Sequence, residues 1–142
     1  IVGHRLMAAG EFELALKAYT RAAGDYGLNV DVLSAIGSAN LKLGRLGQAQ
    51  TMLELALEKD DKFVPAWNNL GVVLMEQGKY AEAEQVLRRA YALDNGESDS
   101  IRDNLRLALA KSENSVTTEP EKQSDYKLVR RGNSDFVIRP TP

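Results

Sequence analysis

The chain has 142 residues, a formal net charge of -2, no cysteine and a single histidine, His4. This balance argues against a broad nucleic-acid surface, which is usually strongly basic, so we expect no nucleic-acid partner. Without cysteine the chain has no disulfide or thiol nucleophile, and one histidine cannot form a His-based triad or a two-histidine metal site. We therefore expect no catalytic residue, no metal and no cofactor. No run approaches the roughly 18 apolar residues that span a membrane.

The first part of the chain is predicted to be helical. Residues 1–10 are typical of the end of a helix whose first half has no counterpart here, so we expect the chain to have been cut from a longer protein. Apolar residues at helical spacing then predict helices at about 11–25, 30–43 and 46–59. His4 is expected to be a polar residue on a helix surface.

The stretch from Pro65 to Leu93 predicts one complete helix-turn-helix unit. Its first helix carries apolar residues at helical spacing and stops at Gly78, because glycine can adopt the left-handed conformation that ends a helix. Pro65 suits the first turn, where a missing N–H needs no partner. The second helix has an apolar face and charged residues between, which would face water.

The same unit recurs at a spacing of 34 residues, the period of one well-known helix-turn-helix repeat. Landmark glycines and alanines coincide in one register over three successive copies. They are Gly3, Gly37 and Gly71; Gly10, Gly44 and Gly78; Ala15, Ala49 and Ala83; and Ala22, Ala56 and Ala90. Such a pattern predicts an array in which each helix pair buries its apolar face against the next pair.

The end of the chain changes character twice. An amphipathic helix at about 99–111 follows good N-cap residues and is predicted to cap the array, because the last apolar face needs a cover with a polar outer side. Residues 112–125 have the composition of a polar linker. Residues 126–142 contain two β-prone runs and are predicted to form an extended or β-hairpin tail, which needs a surface to dock on.

The tail has a specific predicted register. Gly132-Asn133 suits a two-residue hairpin turn. That turn pairs Leu128 with Val137, Val129 with Phe136 and Arg130 with Asp135.

Eight residues of the best-preserved copy resemble the tetratricopeptide repeat (TPR). They are Trp67, Leu70, Gly71, Gly78, Tyr80, Ala83, Leu87 and Ala90. The resemblance covers about residues 1–94 and implies an all-α array of one partial and two full repeats, followed by the capping helix. It also implies a non-enzymatic protein–protein interaction module, in which the first helices of the pairs line a concave groove that binds peptide segments of a protein partner.

Carried over position by position, the resemblance places a set of residues in that groove. The set is Ser34, Ser38, Leu41, Lys42, Asn68, Asn69, Val72, Met75, Arg102 and Arg106, with His4 and Met7 on or near it. Asn69 stands where family members often have an asparagine that bonds a peptide backbone, and Arg102 and Arg106 could meet a carboxylate. Members that grip C-terminal carboxylates use Lys, Asn and Arg, and Ser34 and Ser38 depart from that pattern, which argues against a chaperone-tail clamp.

The layout of repeats, linker and tail also resembles, less specifically, the TPR lipoproteins of bacterial tight-adherence (Tad) pilus assembly. That resemblance implies a scaffold in pilus or secretion machinery, in the periplasm or at the outer membrane; otherwise we expect a cytoplasmic protein. Two alternatives remain: the tail occupies the groove, giving an autoinhibited adaptor or a homodimer, or the chain is a regulatory fragment of a longer enzyme.

Overall fold

The computed structural model describes residues 2–114 and the backbone of residues 126–131 and 135–140. Residues 2–114 form seven helices. They are α1 (Val2–Ala8), α2 (Phe12–Tyr26), α3 (Val30–Lys42), α4 (Leu46–Lys59), α5 (Val64–Glu76), α6 (Tyr80–Asp94) and α7 (Asp99–Asn114). The predicted all-α array of helix pairs is confirmed. α7 extends three residues beyond its predicted end, and the rest of the predicted linker, residues 115–125, lies outside the described residues.

The chain divides into two compact units, residues 1–66 and 67–142. In the first unit α2 packs against α1 and α3, and α3 packs against α4. In the second unit α6 packs against α7, and α5 meets α6 where Gly71 approaches Leu87. Each first helix of a pair therefore lies against its own second helix, as the repeat predicts.

The turns within the pairs use glycine in the left-handed region. Gly10, Gly44 and Gly78 have φ values of 80°, 76° and 78°, so the 34-residue repeat extends to the backbone conformation. At the last of these turns, the Gly78 N–H donates to the Met75 carbonyl at 3.0 Å and the Lys79 N–H to the Leu74 carbonyl at 2.9 Å. These bonds satisfy carbonyls that the end of a helix leaves unpaired.

A second set of glycines lies where the two helices of a pair cross. A Cβ atom added to Gly37 would come within 2.7 Å of Leu53, and one added to Gly71 within 2.5 Å of Leu87. Gly3 faces Tyr19 in the same way. Glycine recurs at these three positions because any larger residue would push the second helix away from the first.

The backbone of the tail forms two paired strands, β1 (Tyr126–Arg131) and β2 (Asp135–Pro140). They run antiparallel, and β2 runs beside α7. The observed register pairs Leu128 with Ile138, Val129 with Val137, Arg130 with Phe136 and Arg131 with Asp135. The predicted register was therefore wrong by one residue, because three residues separate the strands where a two-residue turn was expected. The turn itself lies outside the described residues.

Candidate peptide-binding surface

The α3 residues that were predicted to line the groove are buried or half-buried. Ser34, Ser38 and Leu41 are only 2%, 3% and 2% exposed, and Lys42 is half-buried with its ammonium 5.9 Å from the centre of the Phe12 ring. The Ser38 hydroxyl donates to the Ser34 carbonyl at 3.1 Å. Among the described residues, the Ser34 hydroxyl has no hydrogen-bond partner. A buried hydroxyl without a partner costs about 1–3 kcal/mol, so this oxygen is where a polar group of a ligand would gain most.

A row of three buried asparagines crosses from α5 to α7. Asn68, Asn69 and Asn104 are each 0% exposed. The Asn104 amide donates to Asn68 Oδ1 at 3.1 Å, and the Asn68 amide lies 3.5 Å from Asn69 Oδ1. Val72 and Met75, the other predicted residues on α5, are also buried. The structure therefore brings the four predicted residues of α5 together, and it adds Asn104 to them.

Arg102 and Arg106 are not part of this row. Successive residues of an α-helix are rotated by about 100° around its axis. Arg102 and Arg106, each two positions from Asn104, therefore lie about 160° away from it around α7. Arg102 pairs with Asp99, and Arg106 lies 3.9 Å from Asp103, both as exposed neighbours on the same helix. Such pairs contribute little to stability. Of the predicted residues in the second unit, these two stand apart from Asn68 and Asn69.

Asn104 is the residue that the sequence analysis missed. At its position the repeat calls for an apolar residue, and its replacement by asparagine was an available signal, because a buried amide needs a polar partner. The asparagine on a helix that was predicted only to cap the array could have predicted a polar partner such as Asn68.

His4 differs from its predicted role as a surface residue. Its Nδ1 atom forms a hydrogen bond with the Tyr19 hydroxyl at 2.8 Å, and the ring is partly buried. The two rings border an open cavity of about 380 Å³ in the first unit. Its lining consists of His4, Tyr19, Ala22, Tyr26, Asn29, Asp31, Val32 and Ala35.

Glu76 ends α5 beside the predicted residue Met75, and partial burial raises the pKa of its carboxyl above the ordinary value of 4.5. The folded protein therefore retains this proton to higher pH than the unfolded chain does. The contribution of Glu76 to stability is fully present below about pH 4.5 and is lost as the pH rises through the folded pKa. At neutral pH the charged, partly desolvated carboxylate opposes folding.

We therefore expect Glu76→Gln to raise Tm at about pH 7, and the gain to shrink as the pH falls toward about 4. Thermal unfolding followed by circular dichroism across this range measures the effect. Glu58→Gln, at an exposed position of α4, is the control and should change stability by less than about 0.5 kcal/mol. A Tm gain for Glu76→Gln that is the same at every pH would contradict the expectation.

The helices form a helical-repeat array, and comparison with known proteins identifies the repeat. The sequence profile of the tetratricopeptide repeat matches residues 3–49 and again 34–98. The chain belongs to the tetratricopeptide repeat family. The TPR match covers α1 to α6 and the turn that follows them.

Among curated proteins, the chain is 29% identical over 112 residues to the heat-shock protein cognate (HSC) co-chaperone sgt12 of Aspergillus fumigatus. The match covers 78% of this chain and 33% of that protein, so the chain spans about a third of the length of this relative. Among solved structures, the Sgt2 TPR domain from Aspergillus fumigatus is 28% identical, with a TM-score of 0.77 over 84% of this chain and 80% of that one.

Two further structures share the TPR fold at lower identity. The first TPR of Spaghetti (RPAP3), bound to the HSP90 peptide SRMEEVD, is 19% identical with a TM-score of 0.72, covering 78% of this chain and 87% of that one. The TPR2B domain of yeast Sti1, in a complex with pHsp70, is 24% identical with a TM-score of 0.70, covering 79% and 91%. These TPR proteins are interaction modules. They lend no support to the Tad pilus, periplasmic or lipoprotein setting.

Within the described part of the TPR array, no helix is both long and apolar enough to cross a membrane. Nor does that part contain three histidine or carboxylate side chains grouped so as to hold a metal ion.

Proposed function

We propose that this TPR chain is a non-enzymatic scaffold that binds an extended peptide segment of a protein partner through the first helices of its repeats. The observation that carries the proposal is the Ser34 hydroxyl, which is 2% exposed and has no hydrogen-bond partner among the described residues. A peptide carbonyl or N–H placed against this oxygen would remove the cost of leaving it unpaired.

The polar side chains proposed for peptide contact are mostly neutral. α3 contributes Ser34 and Ser38, and α5 contributes Asn68 and Asn69. Hydroxyl and amide groups both donate and accept hydrogen bonds, so they match the alternating N–H and C=O groups of an extended backbone. Recognition of this kind depends on few charges and is therefore expected to change little with salt concentration.

A second candidate is a co-chaperone-type module that binds the acidic C-terminal peptide of a chaperone. Its support comes from the sgt12 and Sgt2 relatives and from the peptides bound by structures of the same fold. Lys42 on α3 and Arg102 and Arg106 on α7 are cations in the predicted groove set that could meet carboxylates. Ser34 and Ser38 are the departures from the carboxylate-gripping pattern that argue for the first candidate.

A peptide-binding measurement distinguishes the two candidates. Fluorescence anisotropy should be recorded with SGPTIEEVD, the HSP70 peptide in the structure of the second TPR domain of human RPAP3. The peptide is used once with a free and once with an amidated C-terminus. Recognition of the terminal carboxylate predicts a loss of about tenfold or more on amidation, because a charge-assisted hydrogen bond is removed. Backbone recognition predicts a change of less than about threefold. Binding of neither SGPTIEEVD nor SRMEEVD would exclude the co-chaperone candidate.

Ser34→Ala tests the proposal itself. We expect this change to weaken binding of SGPTIEEVD or SRMEEVD, whichever binds more tightly, by about 3–10-fold, the value of one neutral hydrogen bond. Tm should stay the same or rise, because the change removes a buried hydroxyl that has no hydrogen-bond partner among the described residues. Thr51→Ala, at an exposed position of α4, is the control and should leave binding unchanged.

If Ser34 only stabilised the fold, Ser34→Ala would lower Tm; weaker binding with an unchanged or higher Tm therefore indicates a direct contact with the peptide. If neither peptide binds, a random peptide display library selected on the full chain supplies the probe. Failure of that selection to enrich any sequence, or unchanged binding by the Ser34→Ala variant, would overturn the proposal.

The compartment follows from which assembly the scaffold serves. A co-chaperone-type module is expected in the cytoplasm, and a pilus-assembly scaffold in the periplasm or at the outer membrane. A lipid-bearing cysteine encoded upstream of Ile1 in the full-length gene would favour the second setting, and its absence would exclude a lipoprotein.

A further inference from the structure

The turn that ends α6 contains Asn95 and Gly96. Asn95 has φ 55° and ψ 28°, and within residues 2–114 it is the only residue other than glycine with a positive φ. Gly96 follows with φ 69°. Asparagine adopts this left-handed conformation more readily than most residues that carry a Cβ atom. Asn95 therefore serves as the C-cap of α6, and it is exposed to solvent.

The pair Asn95-Gly96 is reactive because of its sequence. Asn95 is the only asparagine in the chain that is followed by glycine. Since glycine has no side chain, its backbone nitrogen can approach the side-chain carbonyl carbon of the preceding residue, Cγ of Asn95. Asn29 is also exposed, but it precedes Val30, whose branched side chain crowds the corresponding nitrogen. Asn95 is therefore the exposed asparagine that the backbone of the chain can attack most easily.

We propose that Asn95 is a site of spontaneous deamidation. The Gly96 nitrogen loses its proton to solvent and forms a bond to Asn95 Cγ. The bond from Cγ to Nδ2 breaks, and the side-chain nitrogen leaves as ammonia after taking a proton from water. The product is a five-membered succinimide ring. A water molecule then opens the ring at one of its two carbonyls, giving either aspartate or isoaspartate, in which the main chain runs through the side chain.

The folded structure restrains the attacking nitrogen. The Gly96 N–H donates to the Tyr91 carbonyl at 3.1 Å, and the Asn95 N–H donates to the Ala92 carbonyl at 3.3 Å. The Tyr91 ring also lies against Gly96, where an added Cβ atom would stand 2.8 Å from the tyrosine oxygen. The bond to Tyr91 has to open before the Gly96 nitrogen can lose its proton and turn toward Cγ. Local opening of the last turn of α6 therefore sets the rate of deamidation, and such opening requires less free energy than global unfolding.

Both products change the connection between α6 and α7. Each adds a negative charge at the C-terminal end of α6, next to Asp94, where the helix dipole already disfavours negative charge. Isoaspartate also lengthens the main chain by one methylene and displaces the Gly96 N–H from the Tyr91 carbonyl. We therefore expect the converted protein to have a lower Tm than the unconverted protein.

Peptide mapping by mass spectrometry tests the site. The full chain is incubated in mildly alkaline buffer, and the mass increase that accompanies conversion of an amide into a carboxyl group is followed at Asn95 and Asn29. We expect conversion at Asn95 to be about tenfold faster or more, because glycine leaves the attacking nitrogen uncrowded. Both aspartate and isoaspartate should appear there. Conversion at Asn95 that is no faster than at Asn29 would overturn the proposal.

Ala92→Gly tests whether the last turn of α6 sets the rate. Glycine weakens this turn, so we expect conversion of Asn95 to accelerate by about three- to fivefold. Ala81→Gly is the matched control, since it makes the same change at an exposed position near the other end of α6, and it should leave the rate unchanged. An unchanged rate in the Ala92→Gly variant would overturn control by local opening. Equal acceleration in both variants would also overturn it, because the reaction would then follow unfolding of the whole helix.

Discussion

Gly71→Val should destabilise the protein by about 1–3 kcal/mol or more, as overpacking of a tight helix crossing does. Even a Cβ atom at this position would stand 2.5 Å from the Leu87 side chain. Valine adds two further carbons, so the buried Leu87 side chain or α6 itself must shift to make room. Chemical denaturation of the full chain measures the loss of unfolding free energy.

Gly24→Ala is the matched control, because Gly24 also lies within a helix but has no atom within 4 Å of an added Cβ. It should be neutral or stabilise by up to about 1 kcal/mol, since alanine favours the helix over glycine. A double-mutant cycle with Gly71→Ala and Leu87→Ala gives a sharper result. Gly71→Ala overpacks the contact and Leu87→Ala leaves it empty. The double variant should therefore lose less unfolding free energy than the sum of the two single losses. Strict additivity would show that the two residues do not form the crossing.

Asn104→Ala has the second large expected effect on stability, a loss of about 1–3 kcal/mol. The change removes the 3.1 Å hydrogen bond to Asn68 Oδ1 inside a region where both residues are 0% exposed. It also leaves a small void at the contact between α5 and α7. Thermal or denaturant unfolding of the full chain measures the loss.

Glu113→Ala, at an exposed position of the same helix, should change stability by less than about 0.5 kcal/mol. The row of asparagines also allows a test of coupling. Asn68→Ala and Asn104→Ala together should cost less than the sum of the two separate losses, because both changes remove the same hydrogen bond. A loss no larger than that of the Glu113→Ala control would contradict a structural role for Asn104.

The helical part of the fold could be predicted because it is encoded in short-range spacing. Gly44 and Gly78 end their helices through the backbone conformation of a single residue. Gly37 and Gly71 recur because, in each copy of the repeat, the two helices cross too closely at this position for a Cβ atom. These requirements act within one repeat, so a 34-residue period in the sequence carries them directly.

The candidate site was predicted less completely. The repeat positions correctly group Asn68, Asn69, Val72 and Met75 on α5, because their spacing around one helix follows from 3.6 residues per turn. The orientation of α7 depends on which of its faces packs against α5, and this is a contact between residues 36 positions apart, Asn68 and Asn104. Arg102 and Arg106 therefore fall on the exposed side, and their roles as peptide contacts stay predictions.

The sequence by itself determined the all-α repeat, its helix pairs and the glycines that end and cross them, since each depends on local geometry repeated along the chain. Only the tertiary structure decided that Asn104 meets Asn68, that the Ser34 hydroxyl has no hydrogen-bond partner among the described residues, and that residues 68–75 of α5 are all buried. It also decided the strand register, which differs by one residue from the predicted turn. The burial and the asparagine contact depend on neighbours in space that are distant in sequence, and no local pattern specifies those neighbours. The strand register depends on the length of the turn between the strands.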